Sequence, residues 1–181
     1  MCQLTYINCD DTQLQKTILY LLLYNNSSLN NKDGFGFFIQ GTNTIIRSPN
    51  DFTNSNIRSS LHSITTKNPI MAHVRSAFSG IGGKQLGIEF NHPFDGNFFI
   101  LEHNGVLQYK DTEREVPKDK IDSQIFLQEL DKAYEMDTDV IRALQTTMEL
   151  FTGKFAFIIF NKSSNKYYAV RGKTADLHSQ T

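Results

Sequence analysis

The sequence predicts an α+β fold in which helices pack on antiparallel sheets. Its predicted strands arrive in blocks and its predicted helices in groups, whereas a parallel sheet requires regular alternation of strand and helix. No repeat or linker interrupts the 181 residues. A chain of this length buries about 70% of its unfolded surface without metals or disulfides. We therefore expect a single domain over residues 1–181.

The first half of the chain begins with a short strand and an amphipathic helix. Asp10 or Asp11 is the expected N-cap of that helix, which should end near Tyr24 because the polar run NNSSLNNKDG follows. A hairpin and a second helix come next. The predicted ranges are 2–8 for the strand, 34–40 and 44–47 for the hairpin, and 52–64 for the second helix.

The second half predicts four further strands, two helices and a closing hairpin. The strands are expected at 70–75, 88–90, 97–102 and 106–109, the helices at 121–134 and 137–150, and the hairpin at 154–160 and 167–170. The glycine-rich segment GIGGKQLGIEF, residues 80–90, is the expected mobile loop because it is long and rich in glycine.

Charge and composition exclude several classes of partner. The formal net charge is −1 and no lysine or arginine cluster is present, which argues against a nucleic-acid or membrane-surface binder. The longest apolar run, residues 18–24, is too short to span a bilayer, and no basic leader precedes it. Two cysteines are too few for a disulfide framework. We expect a soluble, cytoplasmic protein that binds a small molecule or another protein.

Cys2 is an unusual residue at the head of a predicted strand. Removal of Met1 would place a thiol and a free α-amine on one residue. An α-amine titrates at about 7.7 to 8.0, close to the thiol's 8.5, so the amine can take the thiol proton without a separate base. The alternative is a small hydrophobic residue that happens to follow methionine. Cys9 is interpreted as a packing residue.

A thiol that attacks an amide needs hydrogen-bond donors for the resulting oxyanion. Asn104 offers a side-chain amide, and Gly105 offers a backbone N–H with close access to the reacting carbon. The alternative is that Asn-Gly forms a type I′ hairpin turn between two strands. The two Asp-Gly pairs, Asp33-Gly34 and Asp95-Gly96, are interpreted as turns only.

Two charged residues are candidates for substrate binding. Arg75 ends an apolar strand before a Ser/Gly loop, where its guanidinium can hold a carboxylate, although a surface salt bridge is the alternative. Asp122 opens a predicted helix and serves either as its N-cap or as the partner of a ligand ammonium. His73, His92 and His103 lack metal-ligand spacing and are interpreted either as core residues or as residues that support the site residues from behind. No metal or cofactor is expected.

The order of six motifs resembles that of class II glutamine amidotransferases. The motifs are MCQL, KDGFGFF, AHVRSAFSG, FNHPF, EHNGVL and DSQIFL. The likeness covers residues 2–174 and is nearest to stand-alone YafJ-type members. It implies an N-terminal nucleophile (Ntn) hydrolase fold, a four-layer αββα sandwich of two antiparallel sheets.

The resemblance also implies roles for individual residues. Cys2 would be the nucleophile with its own amine as the base, and Asn104 and Gly105 would form the oxyanion hole. Arg75 would hold the α-carboxylate of glutamine and Asp122 its α-ammonium. The implied reaction is hydrolysis of the γ-amide through a γ-glutamyl thioester, which releases glutamate and ammonia or an amine.

The chain departs from many members of the family after Arg75. Ser76 stands where they carry an aromatic residue, and Phe78 where they carry threonine, so the resemblance leaves the compound beyond the γ-nitrogen open. One hypothesis is a glutaminase that supplies ammonia to an acceptor enzyme on another polypeptide. A second is a free-standing γ-glutamyl amide hydrolase. A third is an inactive domain that binds glutamine or a protein and regulates it.

Overall fold

The chain folds into two compact units, each built around one antiparallel sheet. The computed structural model describes residues 2–29, 31–42, 44–52, 61, 64, 67–77, 87–114, 117 and 119–172. The units are Met1–Pro93 and Phe94–Thr181, and each contains a four-stranded sheet. The predicted fold class, α+β with two antiparallel sheets, is confirmed. The expectation of a single domain stays a prediction.

The first unit pairs its four strands in the order β1-β4-β2-β3. The strands are β1 (Gln3–Ile7), β2 (Phe35–Ile39), β3 (Thr44–Ser48) and β4 (Ile70–Val74). Helix α1 (Thr12–Leu29) contacts β1 and β4. Alternate strand residues form one core with residues of this helix and of the segment between β3 and β4: Ile7, Leu19, Leu23, Phe35, Phe37, Ile39, Phe52, Leu61, Ile64, Ile70, Ala72 and Val74.

Helix α1 begins where the sequence predicts and ends later. The Asp11 carboxylate accepts hydrogen bonds from the backbone N–H groups of Gln13 at 2.8 Å and Leu14 at 3.0 Å, so Asp11 is the N-cap. The predicted end near Tyr24 is wrong, because the helix continues to Leu29. Asparagine and serine each cost a helix only a fraction of a kcal/mol, and a helix that is already nucleated tolerates them near its end.

Replacing Asp11 with alanine should lower the free energy of unfolding by about 1 kcal/mol, because two N-terminal N–H groups lose their acceptor. Urea unfolding measures the change. Asp10→Ala is the matched control, since this neighbouring aspartate is equally exposed and α1 is capped by Asp11. Equal losses in the two variants would contradict the cap.

The second unit is a sheet of four strands in chain order with two helices inserted between β6 and β7. The strands are β5 (Phe94–Asp95), β6 (Phe99–Tyr109), β7 (Phe151–Asn161) and β8 (Lys166–Arg171), and the helices are α2 (Asp122–Met136) and α3 (Val140–Leu150). One face of the sheet packs on the helices. Its buried core includes Phe99, Leu101, Leu107, Phe126, Leu130, Leu144, Phe157 and Ile159.

Most predicted elements of the two units agree with the structure, and one changes type. Residues 88–90 form a 3₁₀ turn, not a strand, because Phe90 N–H bonds to Gly87 and Asn91 N–H to Ile88. These local bonds replace the few bonds that a three-residue strand would make. Phe78, most of the predicted helix at 52–64 and residues 80–86 of the predicted mobile loop lie outside the described residues. No helix within the described ranges is long and apolar enough to cross a membrane.

Candidate functional site

Cys2 lies beside Arg75 at the end of the ladder between β1 and β4. Gln3 pairs with Val74, so continuing this antiparallel register places Cys2 next to Arg75. The Sγ atom of Cys2 lies 3.4 Å from both the backbone nitrogen and the backbone oxygen of Ser76. The thiol is therefore held against the segment that follows β4.

The surroundings of Cys2 act on its thiol in two directions. Burial raises the pKa of the Cys2 thiol, while the Ser76 backbone hydrogen bond and the Arg75 charge act to lower it. Burial is the larger effect, so the surroundings favour the neutral thiol over the thiolate. A proton acceptor is therefore needed to form the thiolate, which is the nucleophilic form of cysteine.

Arg75 is buried, with only 6% of its surface exposed. Its backbone N–H donates to the carbonyl of Gly34 at 2.8 Å, and its carbonyl accepts from Asp33 N–H at 3.2 Å. A surface salt bridge, the alternative considered for Arg75, does not fit this burial. The planar guanidinium of arginine can hold a carboxylate through two parallel charged hydrogen bonds.

Asp33 makes a long-range contact in addition to the turn that the sequence predicts. Its Oδ2 accepts from the backbone N–H of Ala77 at 2.8 Å, which fastens the segment after Arg75. The neighbouring Gly34 has φ of +123°, and a Cβ there would collide with the side chain of Asn91. The Asp-Gly pair preceding a strand indicates a turn from sequence, whereas its contact with Ala77 depends on tertiary structure.

His73 and His92 are buried in the first unit, as expected for core residues. Their ring centroids lie 4.3 Å apart. His103 is buried in the second unit. In the part of the chain that the structure describes, no group of three or more histidine, cysteine, aspartate or glutamate residues is placed to hold a metal ion.

Asn104 and Gly105 lie within β6 and not in a turn. Asn104 pairs with Ala156 and Gly105 with Phe155 on β7, so the two predicted strands at 97–102 and 106–109 are one continuous strand. The hairpin-turn interpretation of this Asn-Gly pair is therefore wrong. Gly105 has φ of +145°, and a Cβ there would collide with the backbone carbonyl of Lys154. The positive φ that glycine usually adopts in a turn occurs here within a continuous strand.

Asp122 joins helix α2 to strand β6. It is the first helical residue, and the N-cap position belongs to Ile121, so the N-cap interpretation of Asp122 is wrong. Its Oδ2 accepts from Leu107 N–H at 2.7 Å, and its Oδ1 accepts from Ser123 N–H at 2.8 Å. The carboxylate is thus fixed three residues along the strand from Asn104.

Glu102 is a buried acidic residue that the sequence analysis did not single out. It lies on the strand face opposite α2, two residues before Asn104 and across from Ile158. Its side chain is fully buried, and neither carboxyl oxygen is hydrogen-bonded to the described part of the chain. Burial raises the pKa of the Glu102 carboxyl well above its usual range, so the protonated form is favoured. Its signal in the sequence is a lone acidic residue in an apolar strand.

Glu102→Gln should remove a pH-dependent loss of stability. Above the ordinary glutamate pKa the unfolded chain loses this proton while the folded chain keeps it, so wild-type stability falls with rising pH until the folded-state pKa is reached. The slope is about 1.4 kcal/mol per pH unit for one proton. Urea unfolding from about pH 5 to pH 8 should therefore show the glutamine variant gaining stability relative to wild type. Exposed Glu149→Gln is the control, and identical pH slopes for Glu102→Gln and wild type would contradict the assignment.

The predicted site residues form one group in each unit. The first unit brings Cys2 and Arg75 together at the end of the β1 and β4 ladder. In the second unit, Asn104 and Gly105 lie on β6, and Leu107 of the same strand binds the Asp122 carboxylate through its backbone N–H. Sequence reasoning identified these five residues, and it missed the contribution of Asp33 and the burial of Glu102.

The family model for class II glutamine amidotransferases matches residues 1–164 of the chain. Solved structures with a similar fold include the following two. Glutamine phosphoribosylpyrophosphate amidotransferase from B. subtilis, complexed with ADP and GMP, is 16% identical with a TM-score of 0.59; the match covers 89% of this chain and 35% of that protein. A structure described as the allosteric regulatory enzyme of purine biosynthesis is 17% identical with a TM-score of 0.61, covering 90% and 36%.

This chain therefore spans about a third of the length of each solved protein. No curated protein matches it. The likeness to the two structures supports the Ntn amidotransferase fold, and the family model matches most of the chain. The protein belongs to the class II glutamine amidotransferases.

Proposed function

We propose that this protein is an N-terminal cysteine amidohydrolase that cleaves the γ-amide of glutamine or of a γ-glutamyl compound. After removal of Met1, the α-amine of Cys2 takes the thiol proton and the sulfur attacks the γ-carbonyl carbon. The carbon–nitrogen bond breaks, the amine returns the proton to the leaving nitrogen, and a γ-glutamyl thioester remains. Water then hydrolyses the thioester to glutamate and restores the thiol.

The position of Cys2 is the observation that carries this proposal. Its sulfur lies at the first strand's amino end, within 3.4 Å of the Ser76 backbone and beside the buried Arg75. A nucleophile on the terminal residue supplies its own base, and a thiol whose pKa is raised needs such a base to form the thiolate. Asn104 and Gly105 are proposed to donate hydrogen bonds to the oxyanion.

The charges of Arg75 and Asp122 suit an amino-acid headgroup. A free α-carboxylate requires a cation and a free α-ammonium an anion, and hydrogen bonds to charged groups contribute about 1.5 to 3 kcal/mol each. We propose that Arg75 holds the carboxylate and Asp122 the ammonium. Ammonia set free by the reaction is proposed either to leave the protein or to reach an acceptor enzyme on another polypeptide.

The decisive experiment compares substrates with protein whose intact mass shows that it begins at Cys2. Glutamate release is measured from glutamine, from γ-glutamyl dipeptides and from glutathione. Release from any of the three supports the proposed hydrolase, and the preferred compound identifies the group attached to the γ-nitrogen. Absence of release from all three, in folded and correctly processed protein, would overturn it and favour a regulatory domain without activity.

Arg75→Ala should raise the KM for glutamine by about tenfold or more, because the substrate carboxylate loses its charged partner. Steady-state glutamate release measures the change. Arg142→Ala is the control, since Arg142 is exposed on α3 and forms ion pairs with the nearby Asp137 and Asp139 of the second unit. An unchanged KM in Arg75→Ala would mean that another group binds the carboxylate.

A further inference from the structure

A buried contact between strand β6 and helix α2 has no part in the proposed chemistry. The Nδ1 atom of His103 and the Oγ atom of Ser123 lie 2.7 Å apart. Only 2% of the surface of His103 and 1% of that of Ser123 are exposed, so neither residue is open to a substrate. The His103 ring also packs against Phe157, with ring centroids 4.9 Å apart.

The contact continues from Ser123 to Asp122. Ser123 Oγ lies 3.3 Å from Asp122 Oδ1, while His103 Nδ1 is 4.0 Å from the same oxygen. An ionised carboxylate only accepts hydrogen bonds, so the serine hydroxyl must use its proton for Asp122. Its lone pair then accepts from His103 Nδ1–H, which assigns the proton of a neutral imidazole to Nδ1. Burial lowers the pKa of His103 and so favours that neutral form.

The same carboxylate is held from its other side by strand β6. Asp122 Oδ2 accepts the backbone N–H of Leu107 at 2.7 Å, and Oδ1 accepts the N–H of Ser123 at 2.8 Å. His103 immediately precedes Asn104, and Leu107 follows it by three residues. Both ends of this hydrogen-bonded connection therefore belong to the strand that carries the proposed oxyanion donors.

We propose that Ser123 and His103 are positioning residues that fix Asp122 relative to Asn104 and so set the distance between ammonium binding and oxyanion binding. This inference rests on the proposed function. A substrate whose α-ammonium and γ-carbonyl are separated by a fixed number of bonds requires such a fixed spacing. Loss of the serine hydroxyl leaves the Asp122 carboxylate less restricted. The affinity for the ammonium group then falls more than the rate of the chemical step.

The test measures Ser123→Ala with ligands that differ only in the α-ammonium. L-Glutamate and glutarate are compared as inhibitors of glutamine hydrolysis, because glutarate has both carboxylates and no amine. The variant should raise the KM for glutamine and the inhibition constant of glutamate by about tenfold each. The inhibition constant of glutarate and kcat should stay within about twofold, and Ser123→Thr, which keeps the hydroxyl, should restore the wild-type values.

Thr147→Val is the matched control. Thr147 is a buried hydroxyl residue on α3 of the same unit, and its Oγ1 donates to the Ala143 carbonyl at 2.8 Å. Its removal should leave KM and both inhibition constants unchanged. If Ser123→Ala does not fold, His103→Asn is measured in the same way, with the same expected difference between glutamate and glutarate.

Two results would overturn the positioning role. One is an equal increase in both inhibition constants, which indicates a general disturbance of the site. The other is no change in either constant. Absence of activity in the wild-type protein would instead mean that the proposed function is wrong, so the two failures are distinguishable. In an Asp122→Asn background, Ser123→Ala should add no further effect, because its action passes through that carboxylate.

Discussion

Cys2→Ala should reduce glutamate release by about 10⁴-fold or more, because the variant has no atom to form the thioester. The effect should appear in kcat, measured with glutamine at saturating concentration. The variant should remain folded, since the hydrogen bonds it loses, those between Cys2 Sγ and the Ser76 backbone, are weak sulfur contacts. A thermal unfolding curve close to that of wild type checks this point.

Cys9→Ala is the matched control for the loss of a thiol. Both cysteines are partly exposed and neither forms a disulfide. Cys9 lies just after β1 and has no α-amine of its own to act as a base. Only Cys2 is therefore expected to react. A glutamine-like electrophile should add one label to wild type and to Cys9→Ala, and none to Cys2→Ala. Labelling that persists without Cys2 would remove this residue from the mechanism.

Asn104→Ala should lower kcat by about 10² to 10³-fold, because one donor to the oxyanion is lost. The effect should be larger on kcat than on KM, since the negative charge on oxygen develops only as sulfur attacks. Asn104 lies within a continuous strand, so its backbone pairing with Ala156 survives the change. Single-turnover measurements of thioester formation would isolate the affected step.

Gln108→Ala is the control for removing an amide side chain from β6. Gln108 is exposed and lies four residues further along the same strand, hence on the same face as Asn104. It should retain wild-type kcat and KM. An Asn104→Ala variant that changes only KM would show that the amide binds the ground state of the substrate and does not act as an oxyanion donor.

Local sequence signals determine much of the secondary structure. Asp11 caps α1 because its short carboxylate reaches two free N–H groups of the first turn, and this depends only on neighbouring residues. The closing hairpin of β7 and β8 follows from two segments rich in aromatic and β-branched residues around a polar turn. The end of α1 was predicted wrongly because weak helix formers do not by themselves terminate a helix.

The Asn104-Gly105 pair shows the limit of local reasoning. Asn-Gly accepts positive φ wherever it occurs, and two flanking apolar segments are the usual setting of a hairpin turn. Here the partner of the strand is β7, whose Ala156 and Phe155 lie about fifty residues away in the chain. No local pattern specifies a pairing over such a separation, so only the fold could distinguish a strand from a turn.

The sequence by itself determined the candidate nucleophile, the two charged substrate-binding candidates and the family, because residue type and motif order carry that information. The tertiary structure decided the surroundings of those residues. It buries Arg75, leaves Glu102 without a hydrogen bond among the described residues, and ties Asp122 to Leu107 and Ser123. Burial and long-range hydrogen bonds depend on which segments pack together, and that is a property of the folded chain.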